Sequence, residues 1–156
     1  ILLRREIEAR IAGPLIRAFG DAFGKEETLR IAAEVVRELA EQSGAELAER
    51  CGGNSFDHLA EGTGQWSAGG ALERDVLERS DSRYEYNIVR CKYAEMYKSL
   101  GLEDMGFLLS CGRDGKMFGG FNPEIRFTRT QTIMQGAPHC DFRLALGEKG
   151  DEREHE

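Results

Sequence analysis

Six large apolar residues stand four apart at the start of the chain: Leu3, Ile7, Ile11, Leu15, Phe19 and Phe23. This spacing puts them on one face of a helix as a continuous ridge. Gly13-Pro14 interrupts the run, because proline lacks the N–H that the helix ladder uses, so a kink or short break is expected there. Gly24 is the expected stop. Lys25-Glu26-Glu27 opens a second helix with Leu29, Ala33, Val36 and Ala40 as its buried stripe. Ser43-Gly44 weakens that helix and Cys51-Gly52-Gly53 ends it. So short a connection implies an antiparallel helical hairpin. Nothing in this half carries a chemical signature. It reads as scaffold and as the surface through which a homo-oligomer would form.

The second half changes character. Residues 52–70 are rich in Gly, Ser, Thr and Asn and hold the only tryptophan, Trp66. A run this long without periodicity reads as a mobile insertion or a lid over a site. Residues 71–79 and 83–90 flank Ser80-Asp81-Ser82 as a β-hairpin, with Tyr84, Tyr86, Ile88 and Val89 favouring strand. Residues 91–100 turn helical, and a second short helix is expected over 103–110. Two more strands, 124–134 and 140–146, are joined by Gln135-Gly136-Ala137-Pro138-His139. The predicted fold is α+β: an N-terminal helical hairpin packed on a small antiparallel sheet with two further short helices. One domain spans 1–146, followed by a frayed acidic tail over 147–156.

Composition narrows the function. At 156 residues, 40% hydrophobic and 31% charged, the chain has material for one sizeable core. A net charge of −7 disfavours nonspecific binding to nucleic acid or an anionic membrane. No apolar run approaches the roughly 20 residues of a membrane span. No signal-peptide pattern stands at Ile1, and none of the four cysteines forms a CxxC pair, so the expectation is a cytoplasmic protein with reduced thiols.

Strand alternation locates candidate chemistry. Ile125, Phe127, Arg129, Gln131 and Ile133 share one face of the 124–134 strand, and the apolar members mark that face as the core side. Arg129 and Gln131 are therefore drawn inward, while Arg126, Thr128, Thr130 and Thr132 look solvated. A buried guanidinium needs a partner: an internal carboxylate such as Asp114, or an anionic substrate held by its two-pronged fork. Cys140 shares a face with Phe142 and Leu144 and points to the same interior, where Arg129 would stabilise a thiolate. Cys111 precedes Gly112-Arg113-Asp114-Gly115, whose plain reading is a turn. Cys91 sits at a strand-to-helix junction, where a helix N-terminus favours thiolate. Cys91, Cys111 and Cys140 with Asp114 or His139 are also an open metal-site alternative, though their separations are not diagnostic.

Taken together, the runs Asn87-Ile88-Val89-Arg90-Cys91-Lys92-Tyr93-Ala94-Glu95-Met96, Leu109-Ser110-Cys111-Gly112-Arg113-Asp114, Gly120-Phe121-Asn122-Pro123, Arg129-Thr130-Gln131-Thr132-Ile133-Met134 and Cys140-Asp141-Phe142-Arg143 resemble the L-2-amino-thiazoline-4-carboxylic acid hydrolase family. The resemblance implies a hydrolase acting on a small cyclic C–N substrate, opening a 2-aminothiazoline carboxylate to an N-carbamoyl amino acid. That reaction needs water added to C2, a polarised ring nitrogen and a broken C–S bond. The candidate catalytic residues are Asp114, as general base or amidinium partner, and Cys111 or Cys140, as a thiolate nucleophile. Arg129 would hold the substrate carboxylate and Asn122 would donate to the tetrahedral intermediate. Gln131 and Cys91 complete the substrate-binding set. No cofactor is expected, with a cysteine-ligated metal as the open alternative route. The competing reading is a noncatalytic small-molecule or zinc-binding sensor-like module.

Overall fold

The computed structural model describes residues 1–147. Helices α1 (Leu2–Phe23) and α2 (Lys25–Cys51) form the hairpin, reversing at Gly24, whose φ of 103° is open to glycine alone among ordinary residues. α1 runs through Gly13-Pro14 without the expected break. One hydrogen bond is forfeited at Pro14, but packing holds the turns on either side: Ala9, Gly13 and Gly20 are buried, and Gly13 lies against Leu102. The inward face of α1 is therefore made of small residues. The ridge from Leu3 to Phe23 points outward.

Residues 52–70 are not an unstructured insertion. Ser55 caps α3 (Phe56–Gly62) by accepting from the His58 N–H, and a 3-10 stretch, Gly64–Gly70, follows. Strands β1 (Leu72–Arg79) and β2 (Arg83–Cys91) form the hairpin; α4 (Lys92–Ser99) and α5 (Glu103–Leu109) come next. A 3-10 turn, Cys111–Arg113, leads into α6 (Asp114–Phe121), where the sequence reads as a turn. Four short helices thus accompany the hairpin, rather than two. Strands β3 (Ile125–Thr128) and β4 (Cys140–Leu146) complete a four-stranded antiparallel sheet in the order β1-β2-β4-β3. The fold is α+β as expected. Of the tail expected to fray, residues 148–156 lie outside the described residues.

β3 is shorter than the 124–134 strand read from sequence. The Asp141 carboxylate, on β4, accepts the backbone N–H groups of Thr130 and Gln131 and so replaces the ladder just beyond Thr128. The chain then leaves the sheet. Thr132 turns inward, 2% exposed, and caps the 3-10 turn Ile133–Gln135 instead of facing solvent.

One irregularity matters for the site. Glu73 pairs with Arg90, but Arg74 pairs with Ile88, so Val89 is an extra residue in β2. This bulge leaves Val89 and Arg90 both exposed and brings Cys91 inward opposite Leu72.

Two cores adjoin. The inner sheet face (Tyr84, Tyr86, Ile88, Phe142, Leu144) packs under α2, α3 and α6 through Leu47, Leu59, Phe118 and Phe121. Ala9, Met96, Tyr97, Leu102 and Met105 join α1, α4 and α5. α2 and α6 touch backbone to backbone: a Cβ at Gly44 would overlap the Met117 carbonyl oxygen, and one at Gly120 that of Glu41.

Candidate functional site

Between the inner sheet face and α2 lies a cavity of about 240 Å³. Arg74, Tyr86, Ile88, Cys91, Cys140 and Phe142 form its sheet wall. Leu47 and Arg50 of α2, Trp66 of the 3-10 stretch, and Cys111, Arg113 and Asp114 of the turn into α6 enclose it, and Arg129 closes one end. Three of the four cysteines, Asp114 and Arg129 therefore meet at one place. Trp66 joins them, so the 52–70 segment does cover the site, as an ordered element.

Arg129 is fully engaged. Its Nη1 donates to Asp114 Oδ2 at 2.5 Å and its Nη2 to the Cys111 carbonyl oxygen at 2.9 Å. The guanidinium carbon sits 5.2 Å from the Phe142 ring centre and 5.5 Å from that of Phe127. With 8% of its side chain exposed, and 20% of its partner's, this is a charge pair largely withdrawn from water. The internal carboxylate, of the two partners open from sequence, is the one present. Burial raises the proton affinity of Asp114, against the opposing pull of Arg129. Asp114 Oδ1 makes no hydrogen bond with the described residues.

The thiols are held neutral. Burial pushes Cys111 well up, and the Asp114 carboxylate adds to it. Burial pushes Cys140 up to about 11, although the Ile133 N–H donates to its Sγ at 3.2 Å and Arg129 favours the thiolate. Cys91 caps α4, accepting from the Ala94 N–H at 3.4 Å, yet burial raises it too. The electropositive help read from sequence is real in direction and outweighed by desolvation.

The second guanidinium of the sheet wall, Arg74, was not singled out by motif. Its Nη1 donates to Thr63 Oγ1 at 3.2 Å and Tyr84 Oη at 3.4 Å, its Nη2 to the Thr63 carbonyl oxygen at 3.2 Å. All these acceptors are neutral. Its Nε is buried without a hydrogen-bond partner, and the cation lies 5.2 Å from the Tyr86 ring centre. β1 alternation, with Leu72 and Arg74 on one face, is the signal that finds it. On the helical side, Arg113 is made less basic by burial and by the nearby Arg5, which in turn pairs with Glu8.

Asn122 and Gln131 lie away from this wall. The Asn122 amide donates to the Asn54 carbonyl oxygen and accepts from the Glu124 N–H, tying α6 to β3. Gln131, past the end of β3, donates to the His139 carbonyl oxygen. Both are backbone braces, because the strand geometry assumed for Gln131 ends at Thr128. Among the described residues, no three of His, Cys, Asp and Glu gather as metal ligands would, the three cysteines with Asp114 or His139 included. No helix among them is long and apolar enough to cross a membrane.

A helix-covered antiparallel sheet enclosing a part-apolar cavity lined by arginines, thiols and a carboxylate defines an α+β domain with an internal pocket. More particularly, the chain belongs to the L-2-amino-thiazoline-4-carboxylic acid hydrolase family, whose model matches residues 4–144. Its fold is shared with the phenol-responsive sensory domain of the transcription activator PoxR, solved with phenol (TM-score 0.58, 17% identity, 94% of this chain and 76% of that one). It is shared also with a trafficking protein particle complex subunit 3 from Naegleria fowleri covalently bound to palmitic acid (TM-score 0.55, 11% identity, 94% and 96%). Comparison with curated proteins gives no match.

Proposed function

We propose that the chain is a cofactor-free cytoplasmic hydrolase that opens a small nitrogen-containing heterocycle bearing a carboxylate, of the 2-aminothiazoline-4-carboxylate kind, to an N-carbamoyl amino acid. Family membership favours this reaction class. The observation that carries the residue roles is the unequal state of two of the cavity's guanidiniums: Arg129 is neutralised by Asp114, whereas Arg74 has no anionic partner among the described residues and alone of the lining arginines keeps a buried nitrogen, Nε, without a hydrogen bond. The substrate carboxylate therefore belongs at Arg74, in place of the Arg129 role read from sequence.

Asp114 is the base. Oδ2 is fixed by Arg129, and Oδ1 is left to accept a proton from water. Burial moves its proton affinity towards the working pH, where a general base is most effective. Water oxygen bonds to C2 as Asp114 takes one of its protons, and the C2=N electron pair moves onto the ring nitrogen, which receives that proton from Asp114. The tetrahedral carbon then collapses to the urea carbonyl as the C2–S bond breaks, and the hydroxyl proton passes by way of Asp114 to the leaving sulfur. Cys111 and Cys140, kept as neutral thiols, form the soft wall against the ring in this scheme and do not attack it.

Release of a free thiol from 2-aminothiazoline-4-carboxylate, followed with a disulfide reagent, tests the reading, with and without chelator. Turnover insensitive to chelator is expected. Asp114→Asn should lose at least about a hundredfold in kcat. Arg74→Ala should raise KM about tenfold for the carboxylate and leave the ring lacking it unaffected. No thiol release above the Asp114→Asn background from any cyclic isothiourea would refute the proposal. The likeness to a phenol-bound sensory domain, with the aromatic lining of Tyr86, Phe142 and Trp66, favours a second reading, a noncatalytic binding module. Tight binding of the same compounds without turnover would select it.

A further inference from the structure

The ridge that opens the sequence has no partner within the described residues. Leu3, Ile7, Ile11, Leu15, Phe19 and Phe23 on α1, with Ile31, Val35 and Leu39 on α2, are exposed by 47% (Ile31) to 78% (Phe23). At 100° per residue, Ile7, Ile11 and Leu15 point opposite to the buried Ala9 and Gly13, and Ile31 and Val35 opposite to the buried Ala40 and Gly44. Both rows lie on the side of the hairpin turned away from those buried residues, with Leu39 at the edge, where it also lines a groove between α1 and α2. Exposed Pro14, Ala18 and Ala22 fill the spaces along α1. The charges within that α1 face are Arg4 and Glu8, which pair with each other, and Asp21; Glu27, Glu34 and Glu38 keep to the neighbouring flank of α2.

We propose that this face is the contact between two copies of the chain, forming a two-fold symmetric homodimer. Size is the first argument. A half-exposed large side chain leaves on the order of 100 Å² of apolar surface, so nine leave roughly 900 Å². Monomers rarely show a patch above about 600 Å², whereas a stable interface takes about 800 Å² from each partner. Shape is the second. Rows at four-residue spacing on two helices interdigitate when the helices cross at about −50°. Two copies of the α1 ridge meet in this way, isologously, and the crossing carries the two acidic α2 flanks apart into solvent.

Sedimentation equilibrium of the chain at about 50 µM should give twice the chain mass. Ile11→Glu with Leu15→Glu should give the chain mass, with an unchanged far-ultraviolet spectrum, since both side chains are already in water in the monomer. Val35→Arg, at the edge of the patch, should weaken the dimer at least about tenfold if the double variant fails to fold. A wild-type chain that sediments as a monomer overturns the proposal, whether or not it then binds neutral phosphatidylcholine vesicles. A dimer that survives all three substitutions overturns it equally.

Discussion

The outer face of the helical hairpin and the inner face of the sheet are built from the same kind of residue in regular rows. One row is covered and the other is not. Leu144 on β4 is 0% exposed beneath α2 and α6, whereas Ile7 on α1 is 53% exposed. What decides is the company each row keeps. The helices above the sheet row meet each other through glycines, Gly44 and Gly120, and this close approach lets them cover it together. The hairpin row has small residues behind it, and these, rather than the large ones, were chosen by α4 and α5. An apolar period therefore identifies a sticky face without naming what it adheres to.

The contrast can be broken at its most buried point first. Asp114→Leu removes the carboxylate from a guanidinium 8% exposed; loss of one partner of such a pair should cost about 3–5 kcal/mol in denaturant unfolding. Leu144→Ala on the covered row should cost about 2–5 kcal/mol. Gly44→Ala, which forces α2 off α6, should cost about 1–3 kcal/mol. Ile7→Ser on the open row, read at a dilution where any dimer has dissociated, should stay within about 0.5 kcal/mol. A large loss there would mean the ridge is internal to the monomer.

Titration sharpens the same comparison. With burial raising Asp114 above its ordinary value of 3.8, the acid limb of kcat/KM should fall above that pH. Cys140 titrates near 11 in the folded chain, against 9.0 for an ordinary thiol. Alkylation by iodoacetamide at pH 8 should then run about a hundredfold slower than in the unfolded chain. The unfolded thiol ionises first, so this residue's contribution to stability is present below about pH 9 and is lost as the pH climbs towards 11.

Much of this was legible in the residues. Helix ends at Gly24 and Gly52, the Ser80–Ser82 turn and the inward Arg129 and Cys140 follow from glycine chemistry and from a period of two, whereas Asp114 reads locally as part of a turn and enters only as a partner that a buried guanidinium would need. α6 was not legible, because Gly115, Gly119 and Gly120 argue against a helix locally; the contact of its Met117 and Phe121 backbone with Gly44, far earlier in the chain, overrides that preference. The early end of β3 was hidden for a similar reason. The group that ends it, Asp141, comes from a different strand and acts on backbone, which leaves no period behind. Arg74 was missed because a lone arginine in a strand has no motif, and its want of a counter-charge is visible only once Thr63 and Tyr84 are seen to be its acceptors.

The extra residue at Val89 reaches further than its size suggests. A strand counting evenly from Ile88 would aim Arg90 at the ligand and Cys91 at water. The miscount exchanges them: Arg90 spends its charge outside on Glu73 and Glu95, and sulfur takes its place on the cavity floor. The hollow is thereby spared another fixed positive charge beside Arg74 on its sheet wall.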